Sequence, residues 1–117
     1  MPDSPSHLRA QIRDLQTRRR SLESKLLQPQ SMLAASLIER FLSSRGSPRA
    51  SRASPAYYLS RSAQGRSRLT YVPKEQLSAT RRQCEAYRRY RQNRAAWRQL
   101  TAQLSALWKR LQQAQSQ

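Results

Sequence analysis

Hydrophobic positions in the first thirty residues fall on a helical period. Leu8, Ile12, Leu15, Leu22 and Leu26 recur at steps of 4, 3, 7 and 4, the a/d seam of a coiled coil with Arg19 standing in the gap between Leu15 and Leu22. Ser4 before Pro5 is a helix start, because a serine side chain satisfies free backbone amides and proline suits the first helical position. Pro29 stops the pattern, which predicts a helix over residues 4–27. Its plainer role is to bury one face within its own domain; an independent dimerisation zipper is the alternative.

Residues 31–43, SMLAASLIERFLS, are ambiguous. Leu37, Ile38, Phe41 and Leu42 fit a helical period, yet the cluster is short enough for a buried strand. Residues 43–56, SSRGSPRASRASPA, have charges and no apolar anchor and read as a loop. A hairpin follows: AYYLSRS and RSRLTYV are β-prone, and Gln64-Gly65 lies between them where a tight turn needs positive φ. With those two as the loop, Tyr58 faces Tyr71, Leu59 faces Thr70 and Arg61 faces Arg68. Tyr57, Leu59, Thr70 and Val72 then share one face, and Tyr58, Leu69 and Tyr71 the other. On this reading the hairpin is a clasp, and replacing Tyr58 and Tyr71 together should unfold the middle of the protein.

From Pro73, which ends the strand, to about Ala114 there is no further Gly or Pro, so residues 75–114 are expected to form one helix about 60 Å long. Ala79, Gln83, Ala86, Tyr90, Asn93, Trp97, Leu100, Leu104, Leu107 and Leu111 mark its seam, weak early and strong late. If both helices leave the β-region at one level and fold back on each other, residues 8–26 reach only about as far as residue 96. Trp97, Leu100, Leu104, Leu107 and Leu111 would then overhang by roughly 20 Å, open to a second copy or a protein partner. A kink near Asn93 that lets the last leucines pack within the chain is the alternative. The expectation is a single elongated domain over residues 1–117 of α+β, mainly α class: an N-terminal helix, a β-region over 36–73 forming a hairpin or three-stranded sheet, and a long coiled-coil-like C-terminal helix.

Composition agrees with an extended shape and adds a partner. Only 37% of the 117 residues are hydrophobic and the mean hydropathy is -0.93, so apolar surface for a core is scarce. Lys and Arg number 23 against 6 acids, a formal charge of +17. Such a surface attracts polyanions and repels itself unless a partner offsets it. All but Lys25, Lys74 and Lys109 of the basic residues are Arg, whose planar fork grips phosphate bidentately; codon bias in a GC-rich genome accounts equally well for that choice, but not for the missing acids. Cys84 and His7 are the only residues of their kinds, which excludes a disulfide, a structural zinc site or a Cys/His catalytic pair within one chain. No apolar run suits a membrane span or signal peptide, so a soluble cytoplasmic protein is expected, without cofactor, metal or membrane partner.

The charge concentrates in RRQCEAYRRYRQNRAAWR, residues 81–98, where Arg81, Arg82, Arg88, Arg89, Arg91, Arg94 and Arg98 face a single acid, Glu85. At about 100° per residue they occupy the circumference that the apolar seam leaves. A solvated helix face normally mixes signs, and same-sign neighbours cost a few tenths of a kcal/mol each. The unanswered repulsion therefore favours phosphate contact, with Tyr87 and Tyr90 near the edge of that surface able to stack on unpaired bases, although core packing suits Tyr90 better. Arg45, Arg49 and Arg52 in the loop, and Arg61, Arg66 and Arg68 at the hairpin tip, extend the candidate surface.

The segments SLIERFLSSRGSP (36–48) and SPAYYLSRSAQGRSRLTYVPKEQLSATRRQCEAYRRYRQ (54–92) resemble an uncharacterised family of short bacterial and archaeal proteins, a domain of unknown function often associated with mobile elements. The resemblance implies a Ser-Leu-Val-Glu-Arg strand, which tips residues 36–43 from helix to strand and makes a three-stranded sheet. Family loops often carry three cysteines, suggestive of a metal or redox site; Gly46 and Pro48 keep that frame here, but the matching positions are Arg45, Ala50 and Arg52, so the resemblance implies no metal role for this chain.

Three function classes follow. The first is a nucleic-acid-binding accessory protein of a mobile element or ribonucleoprotein, binding DNA or RNA through phosphate contacts that carry little sequence specificity. The second is an adaptor docking, or self-associating, through the Trp97 to Leu111 seam. An enzyme is the third and is not expected: Asp14, Glu39, Glu75, Glu85 and His7 are scattered, with no phosphate loop, paired-carboxylate spacing or nucleophile motif.

Overall fold

Ser4 caps the first helix, its Oγ accepting the His7 N–H at 3.2 Å, and Pro5 takes the first helical position. The computed structural model describes residues 4–41 and 55–116. Helix α1 (Pro5–Leu26) is followed by strands β1 (Ser36–Phe41), β2 (Pro55–Ala63) and β3 (Arg66–Tyr71), a 3-10 turn (Lys74–Gln76) and helix α2 (Leu77–Gln115). The chain is thus α+β and mainly helical, with the ambiguous residues 36–41 a strand. The loop over 43–56 lies outside the described residues up to residue 54.

The chain divides into two compact units: Gln30–Arg88, and Met1–Pro29 with Arg89–Gln117. In Gln30–Arg88 the sheet is antiparallel with order β1-β2-β3. The β2–β3 register pairs Tyr58 with Tyr71, Leu59 with Thr70 and Arg61 with Arg68, as the turn chemistry requires. Gln64 and Gly65 both have positive φ, 52° and 76°, the pair of left-handed residues that matches the twist of a two-residue hairpin. β1 joins on the other side of β2, with Leu37 opposite Leu59 and Ile38 opposite Tyr58.

Alternation along paired strands separates two faces. The inner face supplies Leu59, and Val72 follows β3 with its N–H donating to the Tyr57 carbonyl at 2.9 Å. Leu59, Val72 and Cys84 form a small core, with Leu33, Ala35, Leu37, Tyr57 and Leu77 packed around it. The linker before β1 is held to α2: the Leu33 N–H donates to the Gln83 carbonyl at 3.1 Å, and the Gln83 side-chain amide donates to Ser31 Oγ at 2.8 Å. The early seam is therefore corrected. Ala79 is exposed, whereas Thr80 and Cys84 are buried, because in these turns α2 meets a sheet rather than a second helix.

The unit formed by Met1–Pro29 and Arg89–Gln117 has a separate core. Leu8, Ile12, Leu104, Leu107 and Leu111 are buried together, with Leu15 and Ala114 packed against them. This overturns the expected overhang, since three of its five residues have an intrachain partner. The first turns of α2 are taken up beside the sheet within Gln30–Arg88, and α1 pairs with the later turns, so Leu8 meets leucines placed well beyond residue 96. Trp97 Nε1 and Thr101 Oγ1 are buried one turn apart without a hydrogen-bond partner, so this seam is apolar only in its last turns. On the outer side of α1, Asp14 pairs with Arg18 at 3.1 Å and Glu23 with Arg19 at 4.0 Å; exposed pairs of this kind add little stability.

The clasp reading also changes. The Tyr58 and Tyr71 rings meet edge to face, 5.8 Å apart, but on the solvent side of the sheet, with Tyr71 59% exposed. Leu59 and Val72 carry the cohesion instead. Truncating Leu8, which is 0% exposed, or Leu59 to alanine is expected to cost about 2–5 kcal/mol, whereas Tyr71→Leu should cost no more than about 1 kcal/mol. Urea denaturation monitored by circular dichroism compares the three; a destabilisation at Tyr71 as large as at Leu59 would restore the clasp.

Candidate nucleic-acid interface

Cationic side chains reach solvent separately in each unit. Within Gln30–Arg88, Arg61 and Arg68 stand directly opposite on paired strands, where like charges repel, and Arg66 sits one residue past the turn. Ala63, Gln64, Arg66 and Arg68 line a recess at the hairpin tip. Residues 55–72 contain no acid to offset these charges. Arg81, Arg82 and Arg88 are exposed on the early turns of α2. The Arg81 guanidinium also lies 5.5 Å from the centre of the Tyr57 ring, a cation–π contact that draws its charge toward the inner edge of the sheet. Arg40, on β1, lies 5.9 Å from the centre of the Tyr58 ring.

Within the other unit Arg89, Arg91 and Arg98 are exposed on α2, and Arg94 is half-buried with its guanidinium 5.5 Å from the Trp97 ring centre. The packing of its planar head on an aromatic ring is the usual way a guanidinium settles at a half-buried position. Tyr87 and Tyr90 are both half-buried. Arg45, Arg49 and Arg52 lie outside the described residues. Glu85 remains the single acid of α2.

Sequence pattern does not mark Arg40 or the outward pair Tyr58 and Tyr71 as functional. Arg40 stands alone in the linear sequence, and its signal emerges only when Ile38 is set opposite Tyr58, which puts Arg40 on the tyrosine face. Cys84, without a partner for chemistry in the sequence, is part of the core. Burial pushes its thiol above the usual thiol range; the Arg61 charge works in the opposite direction and Glu85 adds to the rise. The groups facing it are thus a strand arginine and its own helical neighbour, and desolvation wins.

The model of a domain of unknown function, DUF6788, matches residues 12–82, more than half of the chain and the whole of the sheet. The chain belongs to the DUF6788 family. The match takes in most of α1, all three strands and the start of α2, so Arg40, Arg61, Arg66, Arg68, Arg81 and Arg82 are family-domain positions, whereas Arg88 to Arg98 follow it. No curated protein and no solved structure matches the chain. Among the described residues no helix is long and apolar enough to cross a membrane.

Cys84 gives this site a chemical probe. A folded-state thiol pKa above its unfolded value means that the neutral thiol is favoured by folding; its contribution to stability is complete below the unfolded pKa and falls as pH rises from there through the folded value. Alkylation at pH 8 is expected to be slower than for an unfolded control, and slower again in Arg61→Gln, which removes the charge that favours thiolate. Equal rates in folded and unfolded protein would refute the burial of Cys84.

Proposed function

We propose that the protein is a nucleic-acid-binding accessory protein that contacts phosphate backbone through arginine. The observation that carries this reading is the set of exposed arginines on α2, Arg81, Arg82, Arg88, Arg89, Arg91 and Arg98, on a helix whose only acid is Glu85. A helix face selected only for solubility gains from i,i+4 acid–base pairs, and α1 has them in Asp14–Arg18 and Glu23–Arg19. Their scarcity on α2 supports an external counter-charge. Arg61, Arg66 and Arg68 add a cationic tip to the hairpin, with Arg45, Arg49 and Arg52, outside the described residues, as further candidates.

Contacts of this type position a protein on its ligand and discriminate weakly between sequences. That suits an architectural or accessory role, and the family resemblance carried by the strand and hairpin sequences directs it toward a mobile-element or ribonucleoprotein complex in a bacterial or archaeal cytosol or nucleoid. Docking on a protein partner, or self-association, through Trp97, Leu100, Leu104, Leu107 and Leu111 is the weaker reading, because Leu104, Leu107 and Leu111 already have α1 as their partner.

The test is a salt series on labelled duplex and single strands. Wild-type affinity should fall steeply with salt, and Arg82→Gln/Arg88→Gln/Arg98→Gln should weaken binding and lower the log–log slope by about 0.7–0.9 for each phosphate that the variant no longer neutralises. Helicity should be unchanged, since glutamine is nearly as good a helix former as arginine. Unaltered affinity and slope in this variant would overturn the reading.

A further inference from the structure

The outer face of the sheet holds apolar and aromatic side chains in a chain that has few of them. Register and alternation place Ile38 and Arg40 of β1, Tyr58 and Ser60 of β2, and Leu69 and Tyr71 of β3 together there. Tyr71 is 59% and Leu69 43% exposed, and every residue of β3 is exposed. The opposite face packs on the Leu59, Val72 and Cys84 core, so the outer tyrosines are not required to close it. A sheet with one solvated face ordinarily sets polar residues on that face. Here Tyr71 and Leu69 occupy it, with Arg40 against the Tyr58 ring.

The geometry points to this face as a stacking platform for the unpaired bases of a single-stranded nucleic acid, a substrate class that rests on the phosphate-binding reading above and narrows it. Tyr71 offers the accessible ring. Tyr58 meets it edge to face at 5.8 Å, with ring planes 68° apart, and so fixes the orientation of Tyr71 without covering it. Arg40 holds Tyr58 from the far side, 5.9 Å from its ring centre. From Tyr71 the strand runs about 17 Å to Arg66, exposed beside the turn on the inner register, so that a nucleic-acid strand reaches it around the hairpin end. Base faces in a duplex are occupied by neighbouring bases, whereas those of a single strand are free to stack on tyrosine. The charge decides between an anionic strand and an apolar protein surface: Arg40 shares the outer face, Arg61, Arg66 and Arg68 are exposed at the hairpin end although alternation sets them on the inner register, and the strands hold one acid, Glu39, also on the inner register. That balance complements a polyanion.

Anisotropy titrations of the full chain with four probes of about 20 units each test this: oligothymidylate, an abasic strand with the same number of phosphates, a duplex, and polyglutamate. Tyr71→Leu should weaken oligothymidylate binding roughly tenfold and leave the abasic strand and the duplex unchanged. Tyr71→Phe, which keeps the ring and removes the hydroxyl, should bind as wild type, and circular dichroism should show both variants folded. The platform is overturned if Tyr71→Leu binds oligothymidylate normally, if its binding of the abasic strand weakens equally, or if polyglutamate competes as well as oligothymidylate. In the first two cases, steep salt-dependent binding of duplex and abasic strand would leave the phosphate reading standing. Absence of binding to every nucleic acid at low salt would remove both.

Discussion

A long polar helix that cannot stand alone is the constraint on which the structure depends. α2 runs for 39 residues, and helices in water owe most of their stability to tertiary packing of an apolar stripe. That stripe is narrow and broken: Thr80, Cys84 and Ala86 are buried early, Leu104, Leu107 and Leu111 late. Each section has its own cover, Leu59 and Val72 of the sheet unit for Cys84, and Leu8 and Ile12 of α1 for the leucines. Two small cores of five and three buried residues do what a chain of this composition allows, and each falls within one of the compact units.

The arginines follow from the same scarcity of apolar surface. With one edge of α2 given to packing, the rest of its circumference is available for charge, and every charged residue of the helix except Glu85 is basic. Opposed arginines at the hairpin tip and neighbouring ones along α2 raise the free energy of the folded state through mutual repulsion. Any anion that binds the folded chain better than the unfolded one offsets that repulsion by mass action. On the proposed reading, folding and phosphate binding are therefore coupled. Surface pairs on α1 show that the sequence can supply acids where nothing else neutralises the charge.

Much of the fold was legible because local chemistry was decisive. Ser4-Pro5 marks a helix start, and Gln64-Gly65 requires a two-residue turn, from which the β2–β3 register follows without further choice. Residues 36–41 were not decided by pattern, since Leu37, Ile38 and Phe41 suit both periods; what fixes them is pairing with Leu59 and Tyr58, a non-local contact. The extension of α2 beside the sheet was hidden for a similar reason. Heptad spacing places Ala79 on the seam, but a helix facing a sheet turns Thr80 and Cys84 inward. That shift moved the point at which α1 meets α2 and erased the expected overhang. At the candidate site, the arginines are visible in composition, whereas the exposure of Tyr71 and the approach of Arg40 to Tyr58 depend on which face of the sheet the core selects.

The allocation of residues between the two sheet faces separates stability from function. A sequence shaped for stability alone would turn its scarce aromatic and aliphatic residues inward and its arginines outward. In this sheet Thr70, Arg61 and Arg68 share the register of the inner face, while Tyr71, Leu69 and Ile38 stand on the outer one. The inner face tolerates this because Leu59 and Val72, together with Leu33, Leu37 and Leu77, suffice to cover Cys84. What Tyr71 gives the outer face is one edge-to-face contact with Tyr58, and the residue remains 59% exposed. A local arrangement that departs from what folding favours, in a chain with so little apolar surface to distribute, is where a ligand contact is most readily placed.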